Sequence, residues 1–251
     1  MGDIRVNRRH PNNLGWFEVD LSDEIIDYLW KISYKSKKKE NEMKHRLAGN
    51  ITQSYKLIDE NNYFWEKVLY HLTSEYFRSS GNKYVDITPH IDASSIKPRF
   101  TPILKDFWVN FSKQHEFNPK HDHSGVYSFV IWMKIPYTNE EQSNLDFQKG
   151  LKETDKKAGV FEFFYYDMLG RQTSHVYKLG KEFDGKMVFF PSKLSHQVYP
   201  YYNSDEERVS ISGNVWLKNV SEKEFQEYVD KNEKLVREDS KSKLKEMGII
   251  F

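Results

Sequence analysis

From about residue 104 onward the chain presents six strand-like runs in succession, and that succession limits the fold more than any other feature. The runs cover residues 104–111, 126–135, 159–166, 174–179, 186–190 and 208–217. They are rich in Val, Ile, Phe, Tyr and Trp and are bounded by Gly, Pro, Asn and Asp, which is the pattern of short strands broken by turns. Asp184-Gly185 and Leu169-Gly170 are turn signals. The polar stretch 139–157 reads as a long loop or a short helix, an excursion of the kind that often carries function. Residues 1–100 have a mixed character. Ser22 is placed to cap a helix through Ile25, Ile26, Tyr28, Leu29 and Ile32, which dissolves into a charged run at 35–40. A second helix is expected over 62–77, with Phe64, Val68, Leu69, Leu72 and Tyr76 on one side, and a charged helix over about 221–247. The expectation is a mainly β core at about 104–218 with flanking α-helices, in a chain whose 251 residues suit one domain spanning 1–251.

Composition narrows the function. Aromatic residues make up 16% of the chain, ample for a packed core. Lys plus Arg number 38 and Asp plus Glu 37. Without a basic excess or stripe, nucleic acid is disfavoured as a partner. There are no cysteines, so disulfides, thiolate metal sites and Cys nucleophiles are excluded. The first six residues hold no apolar signal-peptide core, and Val6 argues against myristoylation. The longest purely apolar run, Phe129 to Met133, is far too short to span a bilayer. A cytoplasmic protein without a membrane partner is expected. The sequence sets no oligomeric state.

Three of the nine histidines are arranged for chemistry. His121 and His123 stand in Asn118-Pro-Lys-His-Asp-His-Ser-Gly125, and His196 in Phe190-Pro-Ser-Lys-Leu-Ser-His196. Residues i and i+2 of an extended strand point to one face, so His121 and His123 can meet one ion while Asp122 points away. A third ligand from a distant strand completes a facial set with open positions, which suits redox-active iron. A single His is more often a hydrogen-bonded core or surface residue; it is the pair followed by a His about seventy residues later that favours a metal. His10, His45, His71, His90, His115 and His175 have no partner at ligand spacing and read as structural.

Arg208 and Ser210 begin a strand twelve residues beyond His196. The planar guanidinium matches a carboxylate with two parallel hydrogen bonds, and Ser210, on the same face, can add a third. That is a means of holding the distal carboxylate of a dicarboxylic cosubstrate. The plain alternative is an Arg paired with Asp205 or Glu206. Trp108 and Asn110 also share a face, one that could line a cavity and offer Asn110 to the cosubstrate. Lys134, ending the set Ser128, Val130, Trp132, Lys134, reads as a surface residue.

Trp108-Val-Asn-Phe, Glu116 to Gly125, Ser128 to Pro136, Phe189 to His196 and Arg208-Val-Ser-Ile-Ser-Gly-Asn214 resemble the 2-oxoglutarate/iron(II) oxygenases found in marine cyanophages and bacteria. Leu47-Ala-Gly-Asn-Ile51 resembles an upstream segment of that family. The likeness covers about 45–218. It implies a double-stranded β-helix, the jelly-roll or cupin-like fold. It also implies Fe(II), with 2-oxoglutarate and O2 as cosubstrates, iron ligation by His121 and His196, and 2-oxoglutarate binding by Arg208 and Ser210. The expected activity is hydroxylation of a small-molecule or peptidyl substrate, with release of succinate and CO2, in a host cytoplasm if the chain is phage-encoded. One departure stands out: the wider superfamily has His-x-Asp/Glu where this chain has His-x-His. Either His123 is a third imidazole ligand, or the strand bends and Asp122 serves instead. Two rival readings remain. A cupin-type metalloenzyme without 2-oxoglutarate would want a Glu where Tyr127 stands, and a non-catalytic jelly roll would bind no catalytic metal. The primary substrate, and halogenation against hydroxylation, are not readable.

Overall fold

The computed structural model describes residues 15–79 and 99–237. His10, His90 and the far end of the expected C-terminal helix lie outside them. In chain order the elements are β1 (Phe17–Asp20), α1 (Asp23–Ser36), β2 (Gln53–Lys56) and α2 (Tyr70–Ser79), entered through a π-helical turn at Trp65–Leu69. Then come β3 (Phe100–Ser112), β4 (Asn118–His121), β5 (Tyr127–Lys134), α3 (Asn139–Ser143), β6 (Phe161–Tyr166) and β7 (Gln172–Tyr177). The chain continues through β8 (Lys186–Pro191), β9 (Ser195–Val198), β10 (Arg208–Asn219) and α4 (Glu222–Arg237).

The strands form two antiparallel sheets, of order β1-β8-β5-β10-β3-β2 and β4-β9-β6-β7. From β3 to β10 the chain crosses from sheet to sheet, pausing only for the β6–β7 hairpin in the smaller one. Eight strands alternating this way make a double-stranded β-helix, so the mainly β expectation holds. β1 and β2 extend the larger sheet at its two edges.

The larger sheet is buried on both faces, for different reasons. Phe107, Val109 and Phe111 of β3, Phe129 and Ile131 of β5, and Val209 and Ile211 of β10 pack with Ile25, Leu29 and Ile32 of α1 and Leu72 and Tyr76 of α2. Each such side chain contributes roughly 1.5–3 kcal/mol of transfer free energy. Gly213 lies under the Phe129 ring: a Cβ there would come within 2.6 Å of its Cζ. On the opposite face Val130, Trp132, Val188 and Phe190 pack on Phe161, Phe163 and Tyr177 of the smaller sheet. This inner core fills only part of the space between the sheets.

All six expected strands are present. The structure adds four short ones, β1, β2, β4 and β9; four residues are too few to display a period. Ser22 occupies the N-cap position of α1 but makes no side-chain cap bond. The stretch after Lys134 does become a short helix, closed by a capping box between Thr138 and Glu141. Among the described residues no helix is long and apolar enough to cross a membrane.

Ile211 is fully buried on the helix-facing side of β10. Ile211→Ala should cost about 2–5 kcal/mol, read as a lower denaturation midpoint with an unchanged m-value.

Candidate metal centre and its cavity

His121 and His196 are direct partners across the β4–β9 ladder. Antiparallel partners present their side chains to one face a few ångströms apart, and the ring centroids are 4.4 Å apart. β4 ends at His121, and the chain then turns instead of extending. The His123 amide donates to the Ser192 carbonyl at 2.8 Å. Gly125, at φ +97°, lets the turn dock on β10, where a Cβ would lie 2.5 Å from the Val215 carbonyl oxygen. The turn delivers His123 to the same place: its Nε2 is 3.2 Å from Nε2 of His196. Donor nitrogens of the three rings all lie within 4.8 Å of one another. Two ligands about 2.1 Å from one ion and at right angles to it sit roughly 3 Å apart, so the spacing fits a facial set.

Hydrogen bonds orient two of the rings. Nδ1 of His121 lies 2.6 Å from the Pro119 carbonyl oxygen, and Nδ1 of His196 lies 3.0 Å from that of Leu194. A carbonyl only accepts, so each Nδ1 carries the proton and each Nε2 offers a lone pair to the centre. Burial holds all three imidazoles neutral. It lowers His121 below the ordinary value; it drives His123 to about 3, helped by His121 and Lys193; and it drives His196 well below the ordinary value, helped by its two neighbours. Neutral imidazole is the ligating form.

Asp122 goes elsewhere. Its carboxylate takes the Lys193 ammonium at 3.0 Å, half-exposed on the cavity rim. The ladder does carry an irregularity, but between Asn118 and His121, before the triplet. It therefore does not exchange the positions of Asp122 and His123.

The triad opens into a cavity of about 380 Å³ between the sheets. Its floor is the inner face of the larger sheet: Trp108, Asn110 and Ser112 of β3, and Arg208, Ser210, Ser212, Asn214 and Trp216 of β10. Met43, Leu47 and Ala48 also line it, so the segment preceding β2 contributes to the cavity wall.

Arg208 is 3% exposed. Nη1 donates to the Tyr137 hydroxyl and to the Tyr199 carbonyl oxygen, each at 3.1 Å. The guanidinium carbon lies 5.1 Å from the centre of the Tyr201 ring. The alternative partners are engaged elsewhere: Glu206 pairs with Lys134 and Asp205 accepts from Gln114. Arg208 is thus a buried cation facing the cavity, with no carboxylate partner among the described residues, and its Nε and Nη2 are free to receive one. Asn110 lines the cavity as expected, though its Oδ1 already accepts from Ser54 at 2.7 Å, leaving the amide nitrogen for a ligand. Sequence reasoning missed the tyrosine cage and the carboxylate of Asp106 at the cavity's other end. The alternation of polar residues along β10 was the available signal for that end. His175 packs on Trp16 and His115 on Tyr202, and neither joins the triad.

A double-stranded β-helix carrying three clustered imidazoles and a buried arginine without a carboxylate partner among the described residues fits a metal-dependent enzyme of the oxygenase type. Residues 106–214 match the family model described as "Putative 2OG-Fe(II) oxygenase". The match likens this segment, which is less than half of the chain, to the 2-oxoglutarate/Fe(II) oxygenases, a family that implies Fe(II), 2-oxoglutarate and O2, and the three clustered imidazoles fit the iron. No curated protein gives a significant match. Similar solved structures include a prolyl-4-hydroxylase of Pseudomonas putida, with 15% identity, 82% of this chain and 94% of that one covered, and a TM-score of 0.43. A 2-oxoglutarate complex of a viral collagen prolyl hydroxylase from Paramecium bursaria Chlorella virus 1 also has 15% identity, with 82% and 96% coverage and the same TM-score of 0.43. An oxidoreductase of the 2OG-Fe(II) oxygenase family from Burkholderia pseudomallei has 10% identity, 77% and 78% coverage, and a TM-score of 0.43.

The depressed imidazoles make the metal-free protein acid-sensitive. The unfolded chain takes up His protons near 6.5, whereas folded His123 does so only near 3. Between those values the unfolded state binds more protons, so stability falls as pH falls, by about 1.4 kcal/mol per pH unit for each unshared proton. After chelation, the urea midpoint should drop on going below pH 6.5, and His123→Asn should flatten that drop.

Proposed function

We propose that this protein is a 2-oxoglutarate-dependent hydroxylase in which His121, His123 and His196 ligate Fe(II), Arg208 and Ser210 hold the distal carboxylate of 2-oxoglutarate, and Asn110 assists. The observation that carries the reading is the buried Arg208, free of any carboxylate among the described residues and facing the same cavity as the three imidazoles. A desolvated guanidinium without an anion is costly, and a cosubstrate carboxylate relieves that cost. The donor set fits the metal: three neutral nitrogens from one side of the centre, leaving positions open.

When bound, Fe(II) with 2-oxoglutarate and O2 supplies the oxidising chemistry, converting 2-oxoglutarate to succinate and CO2 as the substrate is hydroxylated. The chain's own residues do the positioning. The Pro119 and Leu194 carbonyls fix the two imidazole tautomers. Tyr137 and the Tyr199 carbonyl hold Arg208 so that its remaining N–H groups face the cavity. Trp108, Val130, Trp132, Phe161 and Leu179 keep much of the wall apolar, which limits water at the reacting centre.

The cupin-type alternative loses ground because Tyr127, where its Glu would stand, packs in the helix-facing core, and because it gives Arg208 no task. We take the described residues to act as one oxygenase unit, since a single hydrophobic cluster joins α1 and α2 to the barrel strands. The substrate is a small molecule or a peptidyl residue. A cytoplasmic location and phage-type relatives rest on the sequence alone.

His196→Ala should abolish stoichiometric Fe(II) binding in a folded protein; near-normal iron content would remove the assignment. His123→Ala should lose most of the iron and the visible absorbance of the iron–2-oxoglutarate complex, while Asp122→Ala keeps both; the reverse result would make Asp122 the ligand. Arg208→Ala should retain iron and weaken 2-oxoglutarate roughly 30- to 150-fold, the loss of a desolvated charge-assisted pair. Arg208→Lys should recover only part of this, having the charge without the fork. Titration under anaerobic conditions reads both affinities.

A further inference from the structure

We propose that the primary substrate carries an organic cation, an ammonium or guanidinium group, and that Asp106 receives it. The proposal rests on the oxygenase reading and adds the substrate class.

The cavity floor follows β10 from Arg208 to Trp216, eight steps of about 3.3 Å, far longer than a five-carbon diacid. The triad faces the middle of this floor. Trp108 is the ladder partner of Ser212, and its ring centroid is 5.8 Å from that of His123. One arm therefore ends on Arg208 and Ser210, where 2-oxoglutarate is assigned. The other ends on Asn214, Trp216 and Asp106, which pairs with Asn214 in register. Metal, cosubstrate and the first arm leave this second arm without a task.

The second arm is built around a carboxylate held still. Oδ2 of Asp106 accepts from Nε1 of Trp216 at 2.9 Å and from Nδ2 of Asn214 at 3.2 Å. Oδ1 has no partner, and no Lys or Arg lies within ion-pair distance of Asp106 among the described residues. The cavity's other carboxylate, Asp122, is taken by Lys193. Lys105, next in sequence, sits at the register shift, its Nζ 3.8 Å from the Trp216 ring centre. The indoles of Trp108 and Trp216 flank the arm, and aromatic faces attract organic cations. The two ends have opposite charge: a dicarboxylate is drawn to Arg208 and repelled by Asp106, and a cation the reverse. Each ligand thereby enters its own arm.

The test uses the iron-loaded protein with 2-oxoglutarate under anaerobic conditions. Calorimetry and the absorbance of the iron–2-oxoglutarate complex follow titration with butylammonium, guanidinium, L-lysine and L-arginine. L-norleucine and L-citrulline serve as neutral counterparts. At least one cation should bind roughly 10-fold or more tightly than its neutral counterpart, the scale of a charge-assisted pair. Asp106→Asn should erase that preference and Asp106→Glu should keep part of it, with iron content and 2-oxoglutarate affinity reporting that each variant is folded. Cations that bind no better than neutral probes, or a preference that survives Asp106→Asn, would overturn the proposal and leave the oxygenase reading intact. A wild-type protein that binds iron but not 2-oxoglutarate would overturn both.

Discussion

The alternation of side chains along β10 is the constraint on which the rest depends. Val209, Ile211 and Val215 face the helices, while Arg208, Ser210, Ser212, Asn214 and Trp216 face the cavity. Strand period permits this two-sidedness only while register is kept. β3 and β5 hold β10 from both sides over most of its length, with irregularities at Val209/Ser210 and Asn214/Val215. A slip of one residue would put Arg208 among phenylalanines and Val209 in the cavity. The apolar packing of α1 and α2 on one face therefore fixes the orientation of the polar groups on the other. Core stability and site geometry are two faces of one register.

The metal-competent triad depends on a different local device. His121 and His196 meet because β4 and β9 are ladder partners, and His123 joins them after the strand has ended. The simple expectation from period, two residues apart on one strand and hence one face, brings the same two rings together, but through an incomplete argument. A turn anchored at Ser192 and seated through Gly125 carries His123 inward, and the same turn leaves Asp122 with Lys193. Carbonyl acceptors behind two of the rings supply what a metal site needs before any metal arrives: fixed orientation and a defined tautomer.

Much of this was legible in the sequence. Six strands of the β-helix announce themselves because they are long enough, and branched or aromatic enough, to display a period. The three histidines, Arg208, Ser210 and Asn110 were identifiable by residue chemistry and spacing, and all six line one cavity. What stayed hidden has a physical reason in each case. β4 and β9 are four residues long and contain Pro119, Lys120 and Ser195, so no apolar pattern marks them. Tyr137, Tyr199 and Tyr201 reach Arg208 from a connection and from the loop before β10, a convergence that no linear spacing encodes. Asp106 had the right strand position, but its relation to Asn214 exists only in the ladder.

On the proposed assignment, His123 takes the place of the carboxylate ligand usual in the wider superfamily, and that would alter the charge balance of the whole cavity. A divalent ion on three neutral imidazoles would keep its full double charge, and Arg208 adds another a short way along β10. A 2-oxoglutarate dianion held as proposed would answer the metal with one carboxylate and the arginine with the other, so the pocket would be closest to neutrality only with the cosubstrate in place. Ion pairs in a desolvated cavity are strong when complete and costly when half-made. Occupancy by metal and occupancy by cosubstrate should therefore be more tightly linked here than in a site that already holds a carboxylate. The anionic end at Asp106 lies beyond this cluster, held by an indole and an amide and not by a cation. On the proposed substrate assignment, a positively charged group placed there would meet its own counter-ion away from the metal's charge, with an apolar stem between the indoles and toward the triad. On this reading the electrostatics of one strand face would order three ligands along a single cavity.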